Sequence, residues 1–216
     1  MPSVTEPSTS SEAPIDRPKL ARKVVLTFVG ALGVAAALTI LFYCMRSVME
    51  IGGSCASGNT PFEIARPCPD GVPGLMVGSI FGGLFFLAVY AFNAVGPNLT
   101  FLAWPALFLS LGWNFLEFGV NPPGDDGGLA FGWLICGVVF VAMGGIPLLF
   151  ALSTMRSDRA TRRAAREVGA QPDVARTSAR DARIAAWVLQ IVALGIGIWA
   201  GIELFELATG SAITFG

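Results

Sequence analysis

Apolar residues in this chain do not alternate with polar ones; they gather in five long blocks. The first, 24–45, runs for 22 residues without a charge. As a helix it extends about 33 Å at ~1.5 Å per residue, enough to cross the ~30 Å hydrocarbon core of a bilayer. Further blocks lie at 73–95, 101–120, 129–153 and 184–208. Backbone groups in hydrocarbon need partners within the protein, so isolated apolar runs of this length predict helices. The pattern predicts an all-α, polytopic membrane protein: five transmembrane helices forming a bundle over 24–208. The third block is the least apolar, with Pro105, Asn114 and Glu117 inside it. Counting it as a span keeps the two basic segments of the chain on one side.

The segments between the blocks are polar or rich in Gly and Pro. Residues 1–16 are dense in Ser, Thr, Pro and Glu and have little to bury, which predicts a disordered tail over 1–23. Segment 154–183 is rich in Ala and Arg and predicts two short helical extensions of spans four and five. Ser157 or Asp158 is a suitable cap for the first, and Gly169 to Pro172 form an elbow between them. Gly144, Gly145 and Pro147 predict a bend in the fourth span.

Charge decides the orientation. Twelve of the 14 Lys and Arg fall in the segments 1–23 and 154–183. Only Arg46 and Arg66 fall in the opposite set, 46–72, 121–128 and 209–216. Positively charged loops stay in the cytoplasm, so the start of the chain is expected inside and the 209–216 tail outside. Net charge is −1, so the chain as a whole has no attraction for nucleic acid, and none is expected as a partner.

Composition narrows the chemistry. With 54% hydrophobic and 13% charged residues, the chain has about half the charge of an ordinary soluble domain. It contains no His, the commonest general base and metal ligand. Phosphate-binding loops, nucleophile elbows and paired metal-ligand motifs are also missing. No catalytic residue, metal site or cofactor is expected.

Cys55 and Cys68 share the 46–72 loop, which the charge rule places on the oxidising side. Thiols there tend to pair, and a staple would suit a loop with little apolar mass of its own. Closing a loop of this size is worth about 3 kcal/mol in the chain-entropy model. The rival reading is a thiol–disulfide oxidoreductase, whose reactive thiols usually stand in a C-x-x-C motif that this loop lacks. Cys44 and Cys136 fall inside spans one and four, as small apolar fillers.

The run from Cys55-Ala-Ser-Gly through Pro61-Phe-Glu-Ile-Ala-Arg-Pro-Cys68-Pro, with Gly71 and Phe81-Gly-Gly, resembles a family of uncharacterised small multi-pass membrane proteins of high-GC actinobacteria. The resemblance covers roughly 52–83. It implies a bacterial plasma membrane and an external Cys pair, and carries over no catalytic residue.

Three carboxylates lie inside the spans: Glu117, Glu203 and Glu206. Each costs at least ~2.5 kcal/mol at mid-bilayer, so they are functional candidates. Glu203 and Glu206 share a helical face; with Glu117 and Asn114, and Arg66 or Arg46 above them, the first reading is a structural polar cluster or a salt bridge with the 46–72 loop, and the second a proton or cation site near the outer surface. Asn93, Asn114 and Gln190 are candidates for hydrogen bonds between helices. Glycine recurs every four residues at Gly74, Gly78 and Gly82 and again at Gly197 and Gly201, the spacing that brings helices close. Packing within the bundle is the first reading of these stripes and oligomerisation the second. The function that best fits is a non-enzymatic accessory or scaffold component of the cell envelope. Its partners would be membrane lipid, other membrane proteins or another copy of itself. An ion-coupled transporter or channel using the carboxylates, and a membrane oxidoreductase, are the alternatives.

Overall fold

The computed structural model describes residues 17–56, 66–95, 99–123, 128–167 and 175–210. These residues form five helices: α1 (Arg17–Glu50), α2 (Val72–Asn93), α3 (Thr100–Val120), α4 (Phe131–Glu167) and α5 (Ala175–Thr209). Every one is long and apolar enough to cross a membrane.

The helices overrun the apolar blocks. Residues 17–23 belong to α1, which corrects the disordered-tail reading for that stretch; 1–16 lie outside the described residues. At its other end α1 continues past Met45 to Glu50, because nothing between them breaks a helix. α4 passes through Ser157 and Asp158 without a start, so neither is a cap there. The elbow at 169–172 lies outside the described residues. Pro105 and Pro147 are both accommodated inside helices.

α1 is the hub. α2 and α5 pack along it, α3 touches it over a smaller area, and α4 packs on α3. Among the described residues α3 and α5 make no contact with each other. Small residues set the close approaches. A Cβ added to Gly30 would stand 2.8 Å from the Tyr90 backbone, and one added to Gly201 would stand 2.8 Å from the Ala36 carbonyl oxygen. Gly112, Gly119, Gly137 and Gly144 do the same between α3 and α4.

The α1–α2 connection is stapled. Cys55 and Cys68 form a disulfide, flanked by backbone bonds from Ala56 N–H to Arg66 O and from Cys68 N–H to Ala56 O. Gly71 then starts α2 with a φ of 78°, and an added Cβ would meet the Ala208 carbonyl oxygen of α5 at 2.6 Å. Glycine is required there both by the positive φ and by the lack of space. The staple thus ties the end of α1 to the end of α5.

Candidate functional site: an ion pair, a cleft and a bare helix face

At the disulfide end of the bundle Arg46 of α1 reaches Glu117 of α3. Both terminal nitrogens of the guanidinium donate to the two carboxylate oxygens at 2.8 Å. Trp113 adds a side-chain hydrogen bond to the same carboxylate. Glu50, one turn along α1, lies 3.6 Å from Arg46 Nε. The guanidinium also sits over the Phe118 ring, 5.2 Å from its centroid. Planar, two-point pairing of this kind fixes direction as well as charge.

The sequence-derived carboxylate site is not assembled as one cluster. Glu117 is on α3 while Glu203 and Glu206 are on α5, and α1 stands between them. Arg46 takes Glu117, and Glu203 is exposed on the outside of α5. Glu206 is half-buried and lies within electrostatic reach of Tyr43 of α1. Asn114 is fully buried; its Nδ2 donates to the Phe42 carbonyl at 3.2 Å, bridging α3 to α1, and its Oδ1 has no hydrogen-bond partner. The sequence offered Arg46 and Arg66 as cations near this carboxylate; the fold selects Arg46, 71 positions away from Glu117.

A second polar group closes the opposite, basic end. Tyr90 Oη donates to Gln190 Oε1 at 3.0 Å and accepts from the Leu99 N–H at 3.1 Å. Gln190 Nε2 donates to the Val95 carbonyl at 3.1 Å. Thr27 Oγ1 bonds the Asn93 carbonyl and accepts from the Val95 N–H. Together these tie the short α2–α3 connection to α1 and α5. Gln190 and Asn114 therefore bond between helices as their composition suggested. The Asn93 side chain does not, since its amide turns back on Val89 of its own helix.

Between the two polar ends lies a cleft of about 530 Å³. Its back wall is α1, with Ala35, Leu38 and Phe42 among its residues; one side is Leu194, Ile198 and Ile202 of α5. The other side is α3, with Leu102 and the smaller Ala103, Ala106 and Ser110. The backbones of α3 and α5 stay more than 8 Å apart across the cleft.

The glycine stripes have different fates. Gly197 and Gly201 face the Leu32 and Ala36 carbonyls of α1. Gly74, Gly78 and Gly82 have nothing within 4 Å of the place a Cβ would occupy. This corrects the intrachain packing expected of them: α2 uses the opposite side, including Gly83 and Tyr90, to meet α1. Cys44 is buried with its thiol near the Val72 carbonyl, and Cys136 is exposed on α4, away from it. Among the described residues no group of three His, Cys, Asp or Glu is placed to hold a metal. Comparison of the chain with family models, with curated proteins and with solved structures finds no match.

Proposed function

We propose that this chain is a multi-pass protein of a bacterial plasma membrane, with its start in the cytoplasm and its end outside. It acts there as a non-enzymatic accessory component that docks a transmembrane helix of another envelope protein against α2. The bare face of Gly74, Gly78 and Gly82 carries the reading. Glycine in a helix interior costs about 1 kcal/mol relative to alanine, and among the described residues nothing packs on these three. Small residues at this spacing let a neighbouring helix come close, where packing rather than water drives association. Val77, Phe81 and Phe85, all well exposed, flank the stripe and supply apolar contact. The ion-coupled alternative has less support, because Arg46 already engages Glu117.

The test is cross-linking in native membranes, with a photoreactive amino acid at Val77 or Phe81. A discrete adduct with a different membrane protein is expected, and Gly78→Ile should remove it while leaving the fold intact. Adducts with lipid alone, or only with a second copy of the chain, would refute the reading.

A further inference from the structure

We propose that the cleft between α3 and α5 holds one acyl chain of a membrane lipid, lying along α1 with its head group at the Arg46–Glu117 end. The inference shares the membrane setting of the reading above but does not depend on α2 docking.

Three observations converge. The cleft volume, about 530 Å³, falls within the ~300–1,000 Å³ typical of ligand pockets. Its α1 wall runs from Ala31 to Tyr43, a rise of about 18 Å at ~1.5 Å per residue. One leaflet of a ~30 Å hydrocarbon core is about 15 Å deep, so the cleft has the length of a single tail. Three lining hydroxyls are already engaged: Thr39 donates to Ala35 O at 2.8 Å, Ser110 to Leu107 O at 2.9 Å and Tyr90 to Gln190 Oε1 at 3.0 Å. A buried water needs two to four polar partners, and these walls give it little to hold. An apolar chain recovers the dispersion contacts that an empty cleft would forgo.

Direction follows from the ends. The basic end is closed by the Tyr90–Gln190 bonds and by Leu99, so the tail finishes there. At the other end Tyr43 borders the cleft, and Arg46 beyond it is already matched by Glu117. A head group there sits at the depth where the bundle itself becomes polar. Access is sideways, through the gap between α3 and α5, where Ala103, Ala106 and Ser110 of α3 leave room beside Leu102.

The test uses the full chain in phosphatidylcholine vesicles that carry a trace of phosphatidylcholine with a diazirine at the end of one acyl chain. After illumination, labelled positions are mapped by mass spectrometry. Labels are expected at Leu87 and Leu194 in the cleft, above the level at Val139 and Phe150 on the exposed face of α4. Moving the diazirine next to the head group should shift the cleft labels towards Tyr43 and Ile202. Ala106→Phe, which fills the cleft, should abolish cleft labelling and leave α4 unchanged. Ile198→Trp does the same from the other wall, which guards against one variant misfolding. Labelling of α4 alone, or cleft labelling indifferent to both substitutions, overturns the site. A reversed depth gradient overturns its orientation. Absence of label on every helix overturns the membrane reading and the cleft with it.

Discussion

Arg46 stands one turn before the end of α1, and its partners decide what it does. It is about one-third exposed, as is Glu117, so the pair is neither a solvated surface bridge nor a fully desolvated one. Two-point pairing favours a real contribution; partial exposure limits it. The pair also sets the angle of α3 on α1, with Asn114 one turn below holding the Phe42 carbonyl. Arg46→Gln and Glu117→Gln are each expected to cost about 1–2 kcal/mol, because the first strips Glu117 of its cation and the second leaves Arg46 only the longer contact with Glu50. The double variant should lose less than the sum, with a coupling of about 1 kcal/mol in thermal melts of the full chain in nanodiscs. Strict additivity would show that the two side chains do not meet.

Elements associate in this bundle through the sizes of facing residues. On α5, a methyl group at Gly201 meets the Ala36 carbonyl and the Thr39 Cβ, both at 2.8 Å. On α2, the same group at Gly78 meets open space. Helix propensity alone favours alanine over glycine by about 1 kcal/mol at both positions. Overpacking, at about 1–3 kcal/mol, reverses that only where there is no room. Gly201→Ala is therefore expected to lower the melting temperature and Gly78→Ala to leave it unchanged or raise it. The same direction in both would mean that the α1–α5 contact is looser than drawn. Tyr90 acts at this scale too, since one hydroxyl joins the α2–α3 connection to α5 through Gln190.

At the scale of the whole molecule the question is which way the bundle sits. The proposed orientation rests on the twelve-to-two distribution of Lys and Arg, and a disulfide at the end it places outside agrees with it. A reporter fused at residue 60 is expected to be active only outside the cell, and one fused at residue 170 only inside. The reverse result at either position would refute the five-span arrangement.

Much of this architecture was legible in the sequence. Each span is selected by its own length and apolarity, and loop charges act on one segment at a time. The pairing of Cys55 with Cys68 followed from their sharing one short loop. The third block was recognisable despite Glu117, although the reason that carboxylate is tolerated, Arg46, lay two helices away. Helix ends were less legible, since polar residues such as those of 17–23 continue a helix as readily as they leave it.

What the sequence determined by itself is therefore the set of long apolar rods and the end of the bundle that carries the staple. Only the tertiary structure decided which face of each rod meets which. It alone showed that Gly201 is buried and Gly78 bare, that Glu117 answers to Arg46, and that α3 and α5 stand apart over a cleft. The physical reason is that apolar tails and apolar side chains are nearly equivalent neighbours. A helix greasy on every side carries little signal of its inner face until steric fit and a few polar contacts choose one.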